Sequence, residues 1–139
     1  MQIRTQAISI ESAGFNDVHN LTDRVASILH ESRIAHGAVT VFVPGSTAGI
    51  TTLEFERGAV EDLRRAMDRL VPPALHYDHD ARWGDGNGFS HVRAALLGPS
   101  VTIPVVDGTL GLGTWQQIIL VDFDNRPRRR EVLVQCLGE

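Results

Sequence analysis

The sequence closes on extended runs at residues 101–106, 114–123 and 129–137, and the residues between them are turn formers. Asp107-Gly108 supplies the positive φ that a tight hairpin needs, and Asn125-Arg126-Pro127 breaks the chain before the final run. A doubly wound sheet returns a helix between successive strands, and this stretch leaves no room for one. Upstream, residues 2–10 alternate polar and apolar. Residues 38–43 are a continuous β-branched and apolar run that Pro44-Gly45 ends, and residues 51–55 read as a short strand. Phe15, Val18, Leu21, Val25, Ile28 and Leu29 fall at helical spacing, with Asn16 or Asp17 as cap. Val60, Leu63, Met67 and Leu70 mark a second helix, stopped by Pro72-Pro73. Residues 91–97 read as a short helix ended by Gly98, and Pro104 argues for an edge or bulged strand. The expected class is α+β: a large mixed β-sheet with two main helices packed on it and a hairpin-rich C-terminal half, in one domain spanning residues 1–139.

Charge removes several chemistries. All 13 basic residues are arginine, so the chain has no lysine for a Schiff base, a phosphate-loop lysine or a Ser-Lys dyad. Arginine's planar fork suits carboxylate and phosphate. A net charge of −4 argues against nucleic acid and gives no reason for a membrane surface. The first ten residues lack the basic-then-apolar pattern of a secretion signal, which makes the cytoplasm the expected compartment. Cys136 is the single cysteine; it lies in an apolar run with no activating partner and reads as a small core residue.

The densest polar segment is residues 74–90. It holds His76-Tyr77-Asp78-His79-Asp80 and Asn87, with His91 just beyond, and such a mixture of imidazole and carboxylate suits a divalent metal. The alternative is a solvated loop. His19, His30 and His36 read as solvent-facing. Gly45-Ser46-Thr47, Gly98-Pro99-Ser100 and Gly111-Leu112-Gly113-Thr114 are turns whose backbone N–H groups can cradle an anion, or ordinary turns. Glu54 sits among apolar and threonine residues, either as a half-buried base or as an outward strand residue. In the arginine run after Pro127, a strand puts Arg128 and Arg130 on one face and Arg129 on the other. They would clamp phosphate, or pair in solvent with Asp122, Asp124 and Glu131.

Pro44-Gly45-Ser46-Thr47-Ala48, Tyr77-Asp78-His79-Asp80, Ser90-His91, Leu97-Gly98-Pro99-Ser100, Gly113-Thr114-Trp115-Gln116, Arg129-Arg130 and the closing Leu137-Gly138-Glu139 resemble the YjbQ-like family of secondary thiamine-phosphate synthases. The likeness runs over essentially the whole chain. It implies an α+β fold, a homotrimer and a divalent metal, Zn or Mg. The implied activity joins hydroxymethylpyrimidine diphosphate to a thiazole phosphate with release of pyrophosphate. By that likeness His79 and His91 are the metal ligands, with His76 outside the motif. Asp80 and Glu54 serve catalysis or complete the shell. Ser46, Thr47, Asn87, Thr114, Gln116, Arg129 and Arg130 hold the phosphorylated substrate, and Trp115 stacks on a flat ring. Two positions depart: Gly45 and Leu53 stand where members often carry histidine and asparagine. A metal-dependent hydrolase of a small phosphorylated or amide substrate and a non-catalytic trimeric metabolite-binding protein remain as alternatives.

Overall fold

The computed structural model describes residues 1–139. The chain forms β1 (Gln2–Ser12), β2 (Asp17–Asn20), α1 (Thr22–Ser32), β3 (Gly37–Phe42), β4 (Ala48–Leu53), α2 (Arg57–Leu70), α3 (Asp78–Trp83), α4 (Gly88–Leu97), β5 (Ser100–Val106), β6 (Thr109–Leu110), β7 (Gln117–Asp122) and β8 (Arg128–Gly138). The architecture is α+β. A five-stranded sheet runs in the order β1-β8-β3-β5-β6, and a three-stranded sheet in the order β2-β7-β4. The expected large sheet is present but not mixed, because every ladder in both sheets is antiparallel.

The two sheets pack face to face. Val132, Val134 and Cys136 of β8 point inward with Val39, Val41, Ile8 and Ile10, and meet Leu21, Val25, Ile28 and Leu29 at α1 together with Ile118 and Leu120 of β7. The other face of β7, Ile119 and Val121, packs with Val18, Phe123, Val60, Met67 and Ala94, the last three from α2 and α4. Strand β7 is therefore buried on both faces, which is why its sequence is continuously apolar instead of alternating.

Three expectations are corrected. The first helix starts at Thr22, not near Asn16. Phe15 and Asn16 sit at φ 54° and 65°, and Asp17–Asn20 is a strand. Asp17 does not cap a helix; its Oδ2 accepts from the Ala13 N–H at 2.9 Å and closes a turn. Asn20 takes the capping work, accepting from the Thr22 N–H at 3.0 Å. Second, the turn at Asn125-Arg126-Pro127 closes no hairpin. Both edges of β7 are filled by β2 and β4, and both edges of β8 by β1 and β3, so the turn passes the chain from one sheet to the other. The C-terminal half thus holds one hairpin, β5–β6, at Asp107-Gly108. Third, residues 74–90 are not all loop: α3 lies within them and α4 begins at Gly88.

The sheet-to-sheet turn is seated on Gly14. The Phe15 N–H donates to the Asp124 carbonyl at 2.8 Å. Gly14 has φ 73°, and a Cβ there would collide with the Arg126 carbonyl oxygen and stand 2.8 Å from that of Asp124. Gly14→Ala is expected to destabilise the fold by more than about 1 kcal/mol, a loss of about 3 °C or more in Tm. Thermal unfolding followed by circular dichroism reads this directly, and an unchanged Tm would show that the turn is not seated there.

Candidate functional site

Where the two sheets meet at one end, their charges interlock. Arg130 projects from the inner face of β8 and grips Asp122, the last residue of β7. Nε donates to Oδ2 at 2.7 Å and Nη2 to Oδ1 at 2.8 Å. Nη2 also donates to Thr47 Oγ1 at 2.8 Å, and the Thr47 hydroxyl donates to Asp124 Oδ2 at 3.1 Å. Asp124 further accepts from Arg128 Nε at 2.7 Å, Asn87 Nδ2 at 3.3 Å and the Asn125 N–H at 2.8 Å. Both aspartates are fully buried, so their charges persist only because each is paired and hydrogen-bonded. Burial pushes the Asp124 carboxyl up, but the bonds from Arg128, Asn87, Asn125 and Thr47 together outweigh it and hold the group below its ordinary 3.8. The hydrogen bonds from Arg130 to Asp122 raise the guanidinium pKa further still.

This network positions the histidines. Asn87 is the residue before α4, and His91 lies one helical turn further on. Asp80 Oδ1 accepts from the Gly88 N–H at 2.8 Å, tying α3 to the first turn of α4. A Cβ at Gly88 would stand 2.5 Å from Tyr77 Cβ, so only glycine lets the two helices approach this closely. The rings of His79 and His91 then lie 4.3 Å apart. His79 Nδ1 is 3.3 Å from Asp85 Oδ1 and 3.8 Å from Asp80 Oδ1. That nitrogen is buried and has no hydrogen-bond partner; neither has Asn87 Oδ1. Ligand atoms of His79, Asp80 and Asp85 all lie within 4.8 Å of one another. The donor set, imidazole with two carboxylates, fits a divalent cation that accepts mixed nitrogen and oxygen ligands. His76 stands outside, paired on the surface with Asp78 at 3.2 Å.

Of the residues expected in the site, His79, Asp80, Asn87, His91, Thr47 and Arg130 converge on this end of the molecule. Ser46 is exposed on the same turn as Thr47. Glu54, Thr114, Trp115 and Gln116 do not join them. In the β4–β7 ladder Ala48 pairs with Asp122 and Leu53 with Gln117, so these residues lie beyond the opposite end, about 17 Å away at 3.4 Å per residue. Within one chain Glu54 therefore completes no metal shell; the length of the ladder separates them. Glu54 and Trp115 instead line a shallow cleft of about 470 Å³ with Asn20, Phe55, Glu56 and Gln117. Gln116 braces its own loop, accepting from the Gly113 N–H and donating to Thr52 Oγ1, both at 3.1 Å. Arg129 faces away from Arg130, toward Ser9 at 2.9 Å, Glu11 and Glu131, so the adjacent pair does not act on one ligand. The largest cleft, about 640 Å³, lies between α1 and the β5–β6 hairpin, also at the Gln117 end.

Asp85 and the burial of Asp122 and Asp124 are not legible from the sequence motifs. The arginines and aspartates were legible as partners, but as a solvated turn, because burial depends on the second sheet. Asp85 had a local signal: it is flanked by Gly84 and Gly86 at φ 71° and 70°, a turn that turns its carboxylate back toward α3.

Residues 6–139 match the family model described as UPF0047 protein YjbQ-like. A UPF0047 protein of Archaeoglobus fulgidus is 40% identical over 130 residues, covering 94% of this chain and 98% of the relative. One from Mycobacterium tuberculosis is 39% identical over 130 residues, covering 92% and 93%. A crystal structure from Sulfolobus solfataricus, of a protein described as YbjQ-like and of unknown function, superposes with a TM-score of 0.95 at 33% identity and covers 99% of each chain.

The depressed Asp124 carboxyl fixes the sign of an acid response. A group whose folded pKa lies below its unfolded value adds stability above the unfolded value and loses it as pH falls through the folded one. Stability is thus expected to fall as pH drops below about 4, the ordinary aspartate value. In Asp124→Asn that acid limb should flatten, with lower stability at neutral pH. Urea midpoints measured from pH 7 to pH 2 check it, and parallel wild-type and variant curves would contradict it.

Proposed function

The chain belongs to the YjbQ-like UPF0047 family, and on that footing we propose that it is a cytoplasmic, metal-dependent enzyme of the thiamine-phosphate synthase type. The observation that carries this reading is the orphaned His79 Nδ1, buried beside Asp80 and Asp85 with the tilted ring of His91 4.3 Å from its own. A buried polar atom without a partner is costly, and a cation among two carboxylates and an imidazole would satisfy it. His79, His91, Asp80 and Asp85 would hold that ion, Zn or Mg. When bound, it supplies charge neutralisation for a diphosphate leaving group. The chain's own part is to orient phosphate oxygens with Arg130, Ser46, Thr47 and Asn87. That division of labour needs neither lysine nor a reactive cysteine. No helix is long and apolar enough to cross a membrane.

The reading includes a homotrimer, because Glu54 and Trp115 lie too far from the histidines to share a ligand within one chain. Symmetry would let one copy's Trp115 end complete another's site. The outer face of the five-stranded sheet supports a docking partner of the same chain. Three of its cross-strand rows carry no charge, namely Ile3, Leu137, Ala38 and Pro104; Thr5, Gln135, Thr40 and Thr102; and Ala7, Leu133 and Phe42, while the Ser9–Glu131 and Glu11–Arg129 rows at one end are charged. Ile3 is 66% exposed, and Leu133, Leu137 and Phe42 about 40%. Exposed apolar side chains grouped on an uncovered sheet face are what a contact between copies would bury.

Loaded with metal, the protein should release pyrophosphate from hydroxymethylpyrimidine diphosphate only when thiazole phosphate is present. Release of inorganic phosphate without the thiazole would make it a hydrolase, and no turnover would make it a binding protein. His79→Ala and Asp85→Asn should each weaken metal affinity about tenfold or more by calorimetry. Wild-type affinity should fall on acidification, since protonated imidazole cannot ligate. Unchanged stoichiometry and affinity in both variants would sink the metal assignment. Sedimentation should give three copies per particle, and Leu133→Glu should give monomers.

A further inference from the structure

Arg130 does not spend its whole guanidinium on the sheet-to-sheet contact. Nε and Nη2 serve Asp122 and Thr47, and Nη1 has no hydrogen-bond partner. The side chain is only 9% exposed, and Nη1 belongs to the part that solvent reaches. It borders a gap above Gly45. A Cβ on Gly45 would meet one atom within 4 Å, Arg130 Nη1, at 3.3 Å. The gap exists because residue 45 has no side chain, and its φ of 120° is one that glycine adopts without strain. Arg128 shares a carboxylate with Arg130: Asp124 Oδ2 lies 2.7 Å from Arg128 Nε and 3.8 Å from Arg130 Nη2. The terminal nitrogens of Arg128 are likewise unpaired, on a half-buried side chain. Ser46 adds an exposed hydroxyl at the rim.

We propose that the gap over Gly45 is an oxyanion niche, in which one oxygen of a phosphate or carboxylate group is held by Arg130 Nη1 with Arg128 beside it. Asp122 locks the guanidinium plane, so Nη1 is aimed before a ligand arrives and little side-chain entropy is lost on binding. The guanidiniums of Arg128 and Arg130 are balanced by Asp124 and Asp122. The niche therefore selects through directed donors instead of net charge, and it takes a group able to insert a single oxygen. Glycine at position 45 is the specificity element, since any side chain there fills the space. The niche deepens the phosphorylated-substrate reading but does not depend on the metal.

The test uses metal-free protein titrated with inorganic phosphate in one arm and acetate in the other. It is read by the arginine side-chain ¹⁵N signals of Arg130 and by calorimetry. Saturable shifts of the Arg130 signals are expected, with phosphate favoured if the physiological group is a phosphate and acetate if it is a carboxylate. Gly45→Ala should weaken binding about tenfold, the loss of one charge-assisted hydrogen bond. Arg130→Lys keeps a cation for Asp122 but has nothing at the Nη1 position, and should weaken it similarly; Arg129→Ala, on the opposite face, should not. If Gly45→Ala fails to fold, the wild-type signals and Arg130→Lys decide. No saturable shift with either anion, or undiminished binding in Arg130→Lys, overturns the niche. Loss of metal binding with phosphate binding intact overturns only the metal reading, so the two failures are distinct.

Discussion

The ion pair between Arg130 and Asp122 is the contact on which the arrangement of this molecule depends. It joins the last residue of β7 in one sheet to the inner face of β8 in the other, with both side chains inside the protein. Removing one partner of such a pair leaves an uncompensated buried charge, at a cost of roughly 3–5 kcal/mol. That is a large share of the roughly 5–15 kcal/mol by which native proteins are stable. The pair also sets what surrounds it. Thr47 bridges it to Asp124, Asp124 holds Asn87, and Asn87 begins the helix that carries His91.

The same network explains why one ring nitrogen of the half-exposed histidine cluster is buried. Fixing α3 against α4 through Asp80 and Gly88 buries His79 Nδ1 before it finds a donor or acceptor of good geometry. Local structure here is subordinate to tertiary packing. Gly88 is a poor helix former by propensity, yet it is required where the backbone of α4 meets Tyr77. The chemistry is gathered at one end of the β4–β7 ladder. The aromatic and acidic residues of the 54 and 115 loops gather at the other.

Much of the fold was legible because it is written in short-range patterns. The alternation of residues 2–10 and the turn at Asp107-Gly108 encode their elements locally, as does the 3.6-residue spacing from Val60 to Leu70. The start of the first helix was not legible. Val18 and Leu21 keep helical spacing with Val25 while Val18 belongs to a strand, so periodicity alone cannot place the boundary. The destination of β7 was not legible either. A strand apolar on both faces says that it is buried, not which neighbours bury it.

The sequence by itself determined the α+β class, most of the strands and helices and the absence of lysine chemistry. Those features depend on residue type and spacing along the chain. Tertiary structure decided which polar residues became a site. Arg129 and Arg130 are neighbours in sequence, but the two-residue period of a strand sends one to solvent and the other into the interior. Glu54 and Asp80 carry the same charge, yet only Asp80 folds back against His79. Burial, partner choice and distance across a ladder are properties of two sheets brought together, and no window of sequence contains both.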